Sequence, residues 1–315
     1  MHSREMNPGL GRSGRVKPQL ERLEDRCCPT VVATTPPPLI LMDNVSNVLM
    51  TVRDDGQGDI TVNFNGRTTT HRGVKNVEIE STAADDKISY TLTNTLKQSE
   101  TLTLQLGNGD NQVRLDFSKG ISLPAPKAHA LPQAVGVTLN GGRGNNQVSA
   151  VFGAINNADL GLTASLGNGW DQFQAQFTGS LSGSNVNVAV NGGNGVNGVN
   201  IAADGAIAAN ANLSIKVADG PNDDTSSVNY TGKLSGHLSI QENAGAGWDW
   251  LETDVNLATG SNGWLAAHEV GGSGADLLIL MARTGNSLKG LSGSISHVNG
   301  SSAVDHTSNV SVSRS

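Results

Sequence analysis

Aromatic side chains are scarce: Trp, Tyr and Phe make up only 3% of 315 residues. Globular domains of this length are ordinarily richer in aromatics, so the scarcity argues against an ordinary enzyme core. Cysteine is nearly absent. The pair Cys27 and Cys28 lies close to the N-terminus, so neither disulfides nor thiol chemistry can operate in the body of the chain. Basic residues are thin as well. From Gly144 to Ala282 there is no arginine and the only lysines are Lys216 and Lys233, within a chain of net charge −7. That distribution leaves no basic face for nucleic acid and no general attraction to anionic membranes. No apolar run approaches the ~20 residues of a membrane span. Yet 37% of residues are hydrophobic, too many for simple disorder.

What the chain does have is glycine, 39 residues of it, together with much asparagine and a short repeat. Leu104–Val113 (LQLGNGDNQV) returns as Leu139–Val148 (LNGGRGNNQV) and as Ala164–Phe173 (ASLGNGWDQF). Shorter copies follow around Gly192–Asn197, Asp219–Asp224, Gly245–Asp249 and Gly271–Asp276. One Asp/Asn column runs through them: Asp86, Asn111, Asn146, Asp171, Asn197, Asp224, Asp249 and Asp276, at steps of 25, 35, 25, 26, 27, 25 and 27 residues. Asp59 and Asp305 are weaker extensions at either end. The single long step places about ten extra residues within Ser118–Ala134. Its Pro124, Pro126 and Pro132 read as a protruding loop.

Alternating apolar residues flank each turn, as strands require. Leu102/Leu104/Leu106 and Val186/Val188/Val190 precede it, while Val113/Leu115/Phe117, Val148/Ala150/Phe152 and Phe173/Ala175/Phe177 follow. A second motif, Thr178–Gly183 (TGSLSG), recurs as Thr231–Gly236 and in part at Lys289–Gly293, marking another side of the coil. A fixed step with one glycine-rich turn in register predicts an all-β, right-handed parallel β-helix, or β-solenoid, of about 9–10 coils of 25–27 residues. A β-sandwich array is the competing fold, but it has no reason to keep so strict a step. The solenoid is expected over residues 39–300, followed by a Ser-rich tail over 301–315.

Residues 1–38 are of another kind: basic, and closed by Pro36, Pro37 and Pro38, they read as a disordered leader and stiff linker. Within them, Leu20-Glu21-Arg22-Leu23-Glu24-Asp25-Arg26-Cys27-Cys28-Pro29 resembles the LExLEDR-type N-terminal motif of planctomycete extracellular proteins. The resemblance covers about ten residues. It implies export to the cell surface or beyond, and no particular activity.

The candidate chemistry follows from the Asp/Asn column. Gly271-Gly-Ser-Gly-Ala-Asp276-Leu-Leu-Ile279 resembles the nonapeptide of calcium-binding RTX-like β-rolls, where turn carbonyls and an Asp carboxylate hold the ion. This makes Asp224, Asp249 and Asp276 candidate calcium ligands. Here, however, the nonapeptide occurs once per coil rather than in tandem, and Asn replaces Asp at Asn111, Asn146 and Asn197. The favoured reading is therefore a structural ladder, with Asp86, Asn111, Asn146, Asp171 and Asn197 each hydrogen-bonding the coils above and below. No other cofactor is indicated.

Trp170 and Trp248 occupy equivalent positions, one residue before Asp171 and Asp249. They are expected to cap the core at that corner; if exposed, they are candidate stacking surfaces for glycans. Parallel β-helices also include polysaccharide-cleaving enzymes, which need paired carboxylates or basic groups on one face. Asp223 with Asp224, or Asp249 with Glu252 and Asp254, are the candidate pairs. The histidines beyond the leader (His71, His129, His237, His268, His297, His306) lack metal-ligand spacing. The expectation is a non-catalytic extracellular or cell-surface structural or adhesive protein, touching glycans or cell-surface and matrix proteins through repeated weak contacts. A calcium-stabilised RTX-like module and a polysaccharide-acting β-helix enzyme are the alternatives.

Overall fold

The computed structural model describes residues 38–42, 48–81, 84–125, 133–284, 292–298 and 309–310. The expected leader (apart from Pro38), Asp305, residues 126–132 and most of the Ser-rich tail lie outside the described residues. Within them the protein is all-β, with no helix, and its parallel sheets wind as a β-solenoid of about eight turns. Two long walls face each other. One is a ten-stranded sheet running from Leu39–Met42 to Ser292–Val298. The other has twelve strands and includes Gln112–Phe117, Gln147–Phe152 and Gln172–Phe177. A narrow third wall joins them, built on Ile121, Ile155 and Leu181 and continued by bridges to Leu96, Ile207 and Leu234. The Leu181 and Leu234 motifs seen in the sequence lie on this wall.

The repeat step explains the register. Each coil returns to the same wall after 25–27 residues, so equivalent residues pair directly, Lys87 with Gln112 and Gln147 with Gln172; across the single 35-residue step Gln112 still pairs with Gln147. Side chains alternate along a strand, and burial alternates with them. Leu102, Val137, Leu162, Val188, Ile215 and Ile240 form one inward column, all almost completely buried. Phe117, Phe152 and Phe177 form another, their rings stacked at 5.2 and 4.9 Å, with Tyr90 against Phe117 at 5.5 Å. A thin core assembled coil by coil needs few aromatics, and this accounts for the composition.

Register also locates the long step. Ser122 aligns with Asn156, and Gln133 with Ala158, so ten residues (123–132) stand where the next coil has only Asn157. The insertion falls at the junction of the third wall with the ten-stranded wall.

The N-terminal end departs from the repeat. Leu49–Asp54, Ile60–Phe64 and Arg67–His71 form an antiparallel meander that extends the twelve-stranded wall. Asp59 sits in its first turn, exposed, with its N–H donating to Asp55 Oδ1 at 3.0 Å. It is therefore not an extension of the Asp/Asn column; hairpin geometry, not the coil repeat, sets its place. Beneath the meander, Tyr90 Oη donates to Asp54 Oδ2 at 2.6 Å and also contacts Glu100 Oε1. Burial and then the nearby Asp54 charge raise the Glu100 pKa, so this carboxyl holds its proton.

Candidate functional site

The glycine-rich turns join the ten-stranded wall to the twelve-stranded wall, and their backbones stack at contact distance. A Cβ on Gly142 would lie 1.5 Å from the Gly107 carbonyl oxygen of the preceding coil, so only glycine fits. At each turn two consecutive residues face opposite ways. The inner one is the Asp/Asn column, and all eight members from Asp86 to Asp276 are at most 2% exposed.

The inner residues form the expected ladder, chiefly from side chain to backbone. Asn111 Oδ1 accepts the Asp86 N–H at 3.1 Å, Asp171 Oδ1 that of Asn146 at 2.7 Å, and Asp224 Oδ1 that of Asn197 at 2.7 Å. Asp249 and Asp276 do the same for Asp224 and Asp249, at 2.7 and 3.3 Å. Side-chain rungs are added where Asn111 Nδ2 donates to Asn146 Oδ1 and Asn146 Nδ2 to Asp171 Oδ1, both at 3.0 Å. The expectation that every member bonds the coils above and below needs correction at one step. Asn197 Oδ1 is buried without a hydrogen-bond partner, so the ladder is interrupted between Asp171 and Asn197.

The outer residues form a second ladder of opposite polarity. Asp85 Oδ1 accepts the N–H of Asp110 at 2.8 Å, Asp110 Oδ1 that of Asn145 at 2.7 Å, Asn145 Oδ1 that of Trp170 at 2.7 Å, and Asp223 Oδ1 that of Trp248 at 2.8 Å. In the inner ladder the later coil accepts; in the outer ladder the earlier coil does. Trp170 and Trp248 take part only through their backbone N–H, and the two residues are 72% and 69% exposed. The expectation that they cap the core is overturned, because the core side of the turn is already filled by Asp171 and Asp249. Val196, on the coil after Trp170, and Trp250, two residues past Trp248, are exposed too. Trp264 lies apart, tilted against His237 on the ten-stranded wall.

From this corner the outer face of the twelve-stranded wall runs away as polar columns. Gln112, Gln147 and Gln172 form the first, and Arg114, Ser149, Gln174 and Asn200 the second. Carboxamides and hydroxyls in register offer rows of donors and acceptors.

The calcium candidates Asp224, Asp249 and Asp276 belong to the inner ladder, their Oδ1 atoms engaged with backbone N–H groups. Asp249 Oδ2 and Asp276 Oδ2 are buried without a partner. Among the described residues no group of three or more acidic, His or Cys side chains is arranged to hold a metal ion. Burial, followed by the charges of Asp276 and Asp224, pushes the Asp249 carboxyl up to about 7. The catalytic pairings are not brought together: Asp223 is exposed while Asp224 is buried, and Asp249 points inward while Glu252 and Asp254 lie on strand positions facing outward. Asp254 is also held by Arg283.

A buried polar cluster that sequence reasoning missed lies in the last coils. Glu242 and Glu269 continue the inward column of Val190 and Val217, and both are fully buried. Ser226 Oγ donates to Glu242 Oε2 at 2.6 Å, Thr253 Oγ1 bonds Glu242 Oε1, and the Thr253 N–H donates to Glu269 Oε1 at 3.0 Å. Nearby, both carboxylate oxygens of Asp219 are buried without a partner. Burial, with neighbouring carboxylates adding to it, raises Glu242 to about 7, and Glu269 and Asp219 to about 8. No described ion pair reaches this cluster, so protonation is the means by which these groups are accommodated.

No protein-family model, curated protein or solved structure matches this chain.

Proposed function

We propose that the protein is a non-catalytic extracellular or cell-surface adhesive module that binds glycans along the corner formed by Trp170, Val196, Trp248 and Trp250 and the adjoining carboxamide face. The observation that carries this reading is the exposure of the Trp170 and Trp248 rings at positions where the fold uses only a backbone N–H. Asp85, Asp110, Asn145 and Asp223 in the same column each accept an N–H of the next coil, a bond an indole cannot make, and a column position twice given over to an exposed tryptophan is explained by contact with a partner. The two rings stand three coils apart, ~14 Å at the usual strand spacing, a reach suited to a short stretch of a linear saccharide. Repetition along the wall multiplies weak contacts, as adhesion requires. Export rests on the N-terminal motif resemblance.

The test is equilibrium binding of the full chain to a panel of soluble polysaccharides. The variant Trp170→Ala/Trp248→Ala/Trp250→Ala should bind at least tenfold more weakly with an unchanged melting temperature. Undiminished binding by the triple variant, or no binding to any member of the panel by the native protein, would overturn the reading.

A further inference from the structure

On the outer face of the twelve-stranded wall lies an open groove of about 740 Å³. The side chains that give it chemical character are Lys87, Gln112, Arg114, Gln147, Gln172 and Gln174. No aspartate or glutamate lines it, in a chain whose acidic residues outnumber its basic ones by 28 to 21. The two cations come from adjacent coils: Lys87 pairs in register with Gln112, and Arg114 with Ser89. They stand one coil and two residues apart, ~8 Å between backbones by strand geometry. Asp116 contacts one Arg114 nitrogen at 3.4 Å, a surface pairing that leaves the Arg114 side chain 70% exposed and is worth little against a better-placed anion.

Along the Arg114 column the residues run Arg114, Ser149, Gln174, Asn200, Ser227 and Glu252, from a cation through uncharged side chains to a carboxylate. The next column carries an arginine-paired aspartate in both an early and a late coil, Asp116 with Arg114 and Asp254 with Arg283. The uncharged middle stretch, Gln112, Gln147 and Gln172, repeats at one strand spacing and presents hydroxyl-binding carboxamides in a row. A ligand matched to this surface is linear, rich in hydroxyls and carries carboxylates where it meets Lys87 and Arg114.

We propose that the groove is a binding site for an anionic polysaccharide of the polyuronate class, its carboxylates held by Lys87 and Arg114 and its hydroxyls by the Gln112–Gln147–Gln172 column. The proposal rests on the adhesive reading above and names the class of glycan. Glu252, at the Arg114 position of a late coil, orients the chain by repelling the anion from that end.

Isothermal titration of the full protein with polygalacturonate, with its fully methyl-esterified form and with a neutral β-glucan tests both levels. Polygalacturonate should bind at least tenfold more tightly than the ester, and the difference should shrink as salt is raised. Lys87→Gln/Arg114→Gln should lose at least tenfold for polygalacturonate and nothing for the ester, with an unchanged circular dichroism spectrum and melting point. Equal binding of acid and ester, or a double variant that binds polygalacturonate as the native protein does, overturns the acidic-ligand proposal while leaving tryptophan-mediated adhesion standing. Failure of every glycan to bind removes both.

Discussion

Glu242 and Glu269 stand in register on adjacent strands inside the solenoid, and Thr253 bonds both carboxyl groups, one through its hydroxyl and the other through its backbone N–H. Burial raises both pKa values, Glu242 to about 7 and Glu269 to about 8, with the charge of Glu242 adding to the rise at Glu269. A carboxyl raised in this direction contributes stability that is full below its unfolded value of about 4 and is lost as pH climbs through the folded value. The melting temperature should therefore fall between pH 5 and pH 9. For Glu242 alone the loss is at most about 3 kcal/mol. Glu242→Gln, which keeps the shape and removes the proton equilibrium, should flatten that slope and melt higher than the native protein at pH 9. A melting profile equally steep in native and variant protein would count against this account.

The inner ladder accepts asparagine and aspartate alike, since either offers an Oδ1 to the N–H of the preceding coil. Asp249→Asn should accordingly preserve the fold and raise stability above pH 7, where the native carboxyl, lifted to about 7 by burial, must ionise in place. The comparison is made by thermal melts in calcium and in chelator. Equal gains in both place the residue in the ladder alone. A variant that loses a calcium-dependent rise shown by the native protein assigns Asp249 to a metal site.

Asn146 joins three coils, accepting from Asn111 and donating to Asp171. Asn146→Ala leaves a buried donor and a buried acceptor without these partners and should cost about 1–3 kcal/mol in urea unfolding. Asn145, its exposed neighbour on the outer ladder, faces water, which can replace its bond. Asn145→Ala should cost distinctly less. Equal losses at the two positions would mean that burial does not set the strength of the ladders.

Phe152 lies between Phe117 and Phe177 in the ring stack and is fully buried. Its removal leaves a cavity that the stacked backbones cannot close, since their spacing is fixed by sheet hydrogen bonds. Phe152→Ala should destabilise by about 3–5 kcal/mol. Gly142→Ala should be comparably harmful despite adding only one carbon, because that carbon meets a backbone carbonyl rather than a flexible side chain. A melt of either variant within a degree of the native value would contradict the packing described.

Much of the coil was legible in the chain because two periods coincide. Side chains alternate every second residue, and the turn returns every 25–27, so Phe117, Phe152 and Phe177 could be aligned before their stacking was seen. The inward position of Glu242 was available by the same logic, two residues beyond Ile240, but its acidic identity pointed outward, and only the bonds from Ser226 and Thr253 explain its burial. The exposure of Trp170 and Trp248 was obscured for a similar reason. Residue type favoured the core, whereas the alternation of inner and outer ladders at the turn decided their direction.

The sequence by itself determined the repeat, the strand faces, the eight-membered Asp/Asn column and the place of the insertion, since each depends on local periodicity that a chain of constant step must obey. Tertiary structure decided the rest: the opposite polarity of the two ladders and the interruption at Asn197, the antiparallel meander that removes Asp59 from the column, the proton-holding cluster around Glu242, and the groove whose cations come from two different coils. Those features depend on which residues of neighbouring coils face one another, and distance along the chain does not record the distance across a stack.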